Sequence, residues 1–385
     1  MDSKAKVGAD APCPPEAAGN GITEQVVFVL QGGGALGAYQ AGVYQALHEA
    51  GVEPDWIIGT SIGAINGAII AGNKEEERLA QLRQFWDLVA YRGLLDATRL
   101  CPGVENTILN LATLTQGVQN FFAPNPGAWQ GLHARLGVER AAYYSADPLR
   151  NTLSSLVDFD YLNEKHMRLT VGTVKVLSGR MRYFTNRDIV LGLEHVMAST
   201  AIPPAFPAVR IEGDAYWDGG IYSNTPLEAV LDDFPRRSSV IFAVQMWPVE
   251  GPEPETLWQV MGRQRDIQYS SRAESHIARQ KQIHRLRHVI RELEKYIPES
   301  KRKSPKLKEL LSWGCHTSMH VVELNAPPFS GMDPTKDIDF TASGIQARWE
   351  SGYAHAKRAI ELAPWREEMD HIEGVAVHGT GAEFM

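Results

Sequence analysis

The chain has 385 residues, 44% hydrophobic and 22% charged, with a net charge of -8. That length supports one large domain or two ordinary ones, and the acidic balance argues against a nucleic-acid partner. Cys13, Cys101 and Cys315 are odd in number and widely spaced, which argues against a disulfide framework or a CxxC metal site and fits a reducing, cytoplasmic compartment.

Residues 1–24 mix Lys4, Lys6, Asp10 and Glu16 with Pro12, Pro14 and Pro15 and lack an apolar h-region, so they read as a flexible leader. No stretch reaches the ~18 apolar residues of a membrane span, so any membrane contact is expected to be peripheral. The run 25–30 (QVVFVL) predicts a buried strand, and 38–50 a helix. A second short strand, 55–58 (DWII), runs into a helix of small apolar residues at 62–71. Repeated strand-turn-helix units predict a parallel sheet with helices on both faces. A surface helix is expected over 74–90. The stretch 91–146, with Phe121, Phe122, Pro124, Pro126 and Trp129, reads as a loop-rich cap.

Asp147 and Pro148 signal a helix start. Strands follow at 169–177 and 180–185, a helix at 191–199, and strands at 209–211, 215–217 and 240–246. Asn224 or Thr225 is expected to cap a helix beginning at Pro226. Beyond this the pattern changes. Residues 266–297 read as one long helix with Ile283, Leu286, Ile290, Leu293 and Ile297 on a heptad seam and a basic remainder, including Arg279 and Arg285. That helix suggests a peripheral membrane contact, a homodimer seam, or ordinary packing on the protein's own core. A strand at 317–324, a helix at 340–362 and a loose tail from 366 complete the reading.

Chemistry concentrates in three places. Gly59-Thr60-Ser61-Ile62-Gly63 fits G-x-S-x-G after a strand and before a helix, where a serine takes a sharp turn that flanking glycines permit. The helix N-terminus behind it, beginning at Ile62, offers N–H groups to a developing oxyanion. Gly32-Gly33-Gly34-Ala35-Leu36-Gly37 also fits the dinucleotide fingerprint, with Glu53 at the distance of a ribose-binding acid. Parallel neighbouring strands end at one sheet edge, however, so this loop should face Ser61 and offer N–H groups as an oxyanion hole. For the general base, Asp218 before Gly219 and Gly220 is one candidate. His316 or His320 in a Ser-Asp-His triad is another.

GGGALG, GTSIG and DGG in this order, with Ala198-Ser199-Thr200-Ala201-Ile202-Pro203-Pro204-Ala205-Phe206-Pro207 between the last two, resemble the patatin-like phospholipases over about 26–246. The resemblance implies a three-layer α/β/α sandwich with a mostly parallel central sheet. It implies Ser61 as nucleophile and Asp218 as its base, without a histidine. Gly32, Gly33 and Gly34, with Ile62, would line the oxyanion hole, and Gly37, Gly59, Gly63, Gly219 and Gly220 would be motif glycines. It further implies a lipid or acyl-ester substrate, no cofactor and no metal. Leu36 stands where many members carry Arg or Lys. The expected layout is a catalytic domain at 25–250, a helical C-terminal extension at 251–365 and a tail at 366–385. A polyester or short-chain esterase on the same residues is the alternative, as is a low-turnover scaffold of the same fold.

Overall fold

A computed structural model describes residues 22–91, 113, 115–270, 273–328, 333–370 and 372–379. Most of the expected leader lies outside the described residues, as do 92–112 of the expected cap. The chain opens with β1 (Gln25–Leu30), a 3-10 turn (Gly34–Gly37) and α1 (Ala38–Glu49), then β2 (Trp56–Gly59), α2 (Ile62–Ala71) and α3 (Glu75–Val89). A two-stranded ribbon, β3 (Ala123–Pro124) with β4 (Tyr144–Ser145), precedes α4 (Asp147–Leu156) and α5 (Phe159–Asn163). Next come the hairpin β5 (Arg168–Lys175) and β6 (Arg180–Thr185), then α6 (Leu193–Ser199), β7 (Val209–Ile211), β8 (Asp214–Asp218), α7 (Glu228–Leu231) and β9 (Ser239–Gln245). The remainder is α8 (Leu257–Ser270), α9 (Ala273–Lys295), α10 (Glu299–Arg302), α11 (Pro305–Leu311), β10 (Met319–Asn325), α12 (Ala342–Leu362) and β11 (Val375–Gly379).

Nine strands form the central sheet in the order β11-β10-β9-β1-β2-β5-β8-β7, with β6 also paired to β5. Pairing is parallel from β11 to β5 and antiparallel for β6, β8 and β7. The middle strands are buried on both faces, which is why QVVFVL and WIIG are unbroken apolar runs rather than alternating ones. Phe28, Leu30 and Ile57 join α1, α2 and α12 in one core cluster. Val27, Val29 and Ile58 join Leu227, Leu231 and Ile277 in another on the opposite face. The fold is therefore the expected three-layer α/β/α sandwich with a mostly parallel sheet.

The C-terminal third differs in detail from the sequence reading. Helix begins at Leu257, nine residues before the expected start, and its described parts are α8 and α9. The heptad seam is not the buried face of α9. Ile277, Gln280, His284 and His288 are buried, while Leu286 and Leu293 are exposed. Buried polar groups explain why periodicity alone missed this: Gln280 donates to Asp232 at 2.9 Å, and His288 Nε2 lies 3.0 Å from the Thr317 carbonyl. The helix expected from Pro226 shrinks to the single turn of α7, because Asn224 and Thr225 hydrogen-bond to the glycine-loop region instead of capping it. Val375–Gly379, inside the expected loose tail, is the outermost strand, held by parallel pairing to β10 with Val375 buried.

Candidate active site

The parallel strands deliver two loops to one edge. β1 and β2 are in register from Val27–Trp56 to Leu30–Gly59, so the glycine loop and Ser61 emerge side by side. β8 brings Asp218 from the opposite direction. β5 overshoots β2: Gly59 is level with Val171, and Thr173, two residues on, pairs with Asp218. An antiparallel strand thereby places a carboxylate opposite the serine that follows a parallel one.

Ser61 has φ 56° and ψ -124°, a region that costs a non-glycine residue on the order of 1–3 kcal/mol and is tolerated where surroundings enforce it. Here they do. A Cβ on Gly59 would lie 2.3 Å from the Gly63 carbonyl oxygen, and one on Gly63 would lie 2.2 Å from that of Leu30. Only glycines let the elbow close this tightly. The Ser61 amide donates to the Ser199 carbonyl at 3.1 Å and to Ser199 Oγ at 3.2 Å, and that hydroxyl donates to the Gly172 carbonyl at 2.7 Å. Gly37 packs on Ile62 and Gly219 on the Gly172 carbonyl.

Asp218 is 1% exposed and accepts the Gly220 amide at 2.7 Å. Burial pushes its carboxyl up to about 7, against the opposing pull of the Gly220 amide and the Ser61 hydroxyl. A carboxyl that titrates near neutrality can both accept and return a proton.

The glycine loop is fixed by its carbonyls. The Gly32 carbonyl accepts Trp247 Nε1 at 2.8 Å and Asn224 Nδ2 at 3.1 Å. Gln31 donates to Thr225 at 2.7 Å and accepts from the Trp247 amide at 3.1 Å. The Gly32 amide is committed to the Asn224 carbonyl at 3.3 Å, whereas those of Gly33, Gly34 and Ile62 find no acceptor among the described residues. Gly34 has φ +54°, and a Cβ there would sit 2.3 Å from the Asp337 carbonyl oxygen. The segment around Asp337 thus lies directly against the loop. It is anchored by Arg265, which pairs with Asp337 at 2.5 Å and bonds to the Pro334 carbonyl.

These groups line a cavity of about 670 Å³. Its walls are mostly apolar: an aromatic cluster of Phe121, Phe122, Tyr144 and Phe206, with Ile202, and Trp258, Met261 and Tyr269 of α8. No described residue lining it is a histidine. His316 precedes β10, and His320 lies near its start, stacked on His378, so both lie toward the edge opposite Ser61. Glu53, the ribose-binding candidate, also lies at that far edge, paired with Arg78 and His48 at 2.5 Å each. The sequence reading named the elbow, the loop and Asp218. Ser199 stands there only as part of a motif, without its role under the elbow, Asn224 is given a different task, and Trp247, Arg265 and Asp337 are absent from it. Buried polar residues within apolar context were the available signal for Ser199 and Trp247. Arg265 and Asp337 had none.

A sequence profile described as patatin-like phospholipase matches residues 28–231, more than half of the chain. The chain belongs to the patatin-like phospholipases. A second profile, described as patatin phospholipase, matches 267–372. Mouse patatin-like phospholipase domain-containing protein 7 is 50% identical over 205 residues, covering 53% of this chain and 12% of that protein. Lysophospholipase nte1 of Aspergillus terreus is 61% identical over 46 residues, 12% of this chain and 3% of its own. The uncharacterized protein YqhO of Bacillus subtilis is 27% identical over 243 residues, 59% of this chain and 73% of its own. This chain therefore spans a small part of either eukaryotic relative. The solved structure of VipD from Legionella pneumophila covers 88% of this chain and 67% of its own at 15% identity and a TM-score of 0.39. Among the described residues, no helix is long and apolar enough to cross a membrane.

Proposed function

We propose that this patatin-like protein is a serine hydrolase of lipid acyl esters, acting through a Ser61–Asp218 dyad. The observation that carries the reading is the strained Ser61 elbow beside a buried carboxyl that titrates at about 7, at the floor of an apolar cavity. Asp218 accepts the Ser61 proton as Oγ attacks the ester carbonyl. The amides of Gly33, Gly34 and Ile62 stabilise the oxyanion, with Gly32 contributing its carbonyl to loop geometry rather than its amide to catalysis. The alcohol leaves with the proton, and water hydrolyses the acyl-enzyme with Asp218 again as base. The apolar walls support an acyl-chain site, and the names of the relatives support phospholipids and lysophospholipids as substrates.

The three separated cysteines support a reducing, cytoplasmic compartment. The exposed Leu286 and Leu293 support a second copy pairing along α9, and sedimentation of a Leu286→Glu/Leu293→Glu variant tests this: a shift from dimer to monomer is expected. A fluorophosphonate probe tests the activity. Labelling at Ser61 that disappears in Ser61→Ala, together with hydrolysis of p-nitrophenyl esters, is expected. An unlabelled, folded protein would favour a non-catalytic role.

A further inference from the structure

We infer that the protein docks on a lipid surface through the N-terminal half of α8, so that the cavity mouth faces the lipid. This rests on the lipid-ester reading above and specifies where the substrate enters. Trp258, Met261, Arg265 and Tyr269 line the cavity at intervals of 3, 4 and 4, one face of the helix. The outer face of the first turn is also apolar, ahead of the exposed Gln264 and Gln268. Leu257 is 77% exposed and Val260 47%, and Trp258 and Met261 are themselves nearly half exposed at 44% and 48%. A water-facing surface helix is polar on the side away from its packing face, and the first turn of this one is not.

The occupant follows from continuity and charge. Trp258 and Met261 belong at once to the cavity wall and to the outer surface, so apolar surface runs from the chamber of Ser61 onto the outside of α8. An acyl chain leaving a lipid layer against this surface would not cross water. The loop before α8 exposes Glu250, Glu253 and Glu255, which repel anionic head groups. The matching surface is therefore one of zwitterionic or uncharged head groups, bound by insertion of side chains rather than by charge.

The basic helix α9 offers the competing surface, with Arg279, Arg285, Leu286 and Leu293 exposed. Its course places that surface badly. His288 lies against the Thr317 carbonyl, just before β10, and a Cβ on Gly374, just before β11, would lie 2.8 Å from His288 Nε2. Both positions are at the starts of strands parallel to β1, and Ser61 is at the other edge, one strand length or roughly 20 Å away. A lipid layer held at Leu293 would face the wrong edge of the sheet.

The test uses the full chain, phosphatidylcholine vesicles with and without added phosphatidylglycerol, and a soluble p-nitrophenyl ester. Wild type should co-sediment with phosphatidylcholine vesicles at low and high salt. Leu257→Glu/Val260→Glu should weaken that binding at least tenfold while kcat/KM on the soluble ester and the melting temperature hold. Arg279→Glu/Arg285→Glu should bind as wild type does. Undiminished binding by the α8 variant, or loss of binding by the α9 variant, would overturn the assignment. So would wild-type binding that requires phosphatidylglycerol and is released by salt. If the α8 variant loses soluble-ester activity, melts earlier or converts a dimer to a monomer, the face is covered by protein and the inference is wrong. Failure of the hydrolase reading looks different: no fluorophosphonate labelling and no soluble-ester turnover, whatever the vesicles do.

Discussion

The two edges of the central sheet solve opposite problems. At the edge where the parallel strands start, charges are matched. Glu53 holds both Arg78 and His48, and Asp233 holds Arg168 at 2.7 Å and Arg187 at 3.0 Å. Arg168 also stacks over Trp56 at 3.5 Å. At the edge where those strands end, Asp218 is buried without a cation, Ser61 is strained, and the Gly33 and Gly34 amides point at no partner in the described chain. The one ion pair lining the cavity among the described residues, Arg265 with Asp337, fastens the C-terminal part of the chain against the glycine loop. Matched polarity stabilises the fold, and unmatched polarity is what a reaction can use.

The sharpest way to break this contrast is to neutralise Asp218. Asp218→Asn should lower kcat by about 10²- to 10⁴-fold, the range for loss of a general base. It should also stabilise the protein above neutral pH. The folded carboxyl holds its proton more tightly than the unfolded one, so its contribution to stability is full below about pH 4 and is lost as pH rises to about 7. Asparagine carries no charge, so the variant should melt later than wild type at pH 8 and about equally at pH 4. Calorimetry at the two values checks both halves.

A smaller effect is expected behind the oxyanion loop. Trp247→Phe removes the indole donor to the Gly32 carbonyl, and the loop should relax, with kcat falling roughly 10- to 100-fold. Steady-state kinetics on a soluble ester reads this directly. At the matched edge the outcome should invert. Arg78→Met leaves the Glu53 carboxylate with only His48 and Tyr44 and should cost about 1–3 kcal/mol of stability, measured by urea unfolding, with kcat/KM unchanged. The smallest effect belongs to His316→Ala and His320→Ala, which should leave kcat/KM within twofold, because neither side chain lines the cavity.

Legibility followed the kind of information each feature needs. β1, α2 and β6 could be read closely from the sequence because their periodicity is local and their ends are marked by glycine or turn residues. The elbow could be read because its strand-turn-helix context is local too. Asp218 was visible only as a carboxylate before two glycines, and its choice over a histidine came from family resemblance. Its real qualification is the antiparallel arrival of β8 beside an overshooting β5, a property of sheet topology. The seam on α9 misled because His284, His288 and Gln280 supply a polar buried face with its own hydrogen bonds. Arg265 and Asp337 meet across 72 residues of chain, and no local pattern announces such a pair.

The central claim is that the Asp218 carboxyl is the base for Ser61. The most direct measurement is the rate of Ser61 labelling by a fluorophosphonate between about pH 5 and about pH 9, for wild type and Asp218→Asn. The predicted wild-type rate rises through a single titration at about 7 and then levels, and the variant shows a low rate with no such limb. Labelling of the variant at the wild-type rate, or a limb that persists in it and vanishes in His316→Ala, would contradict the dyad.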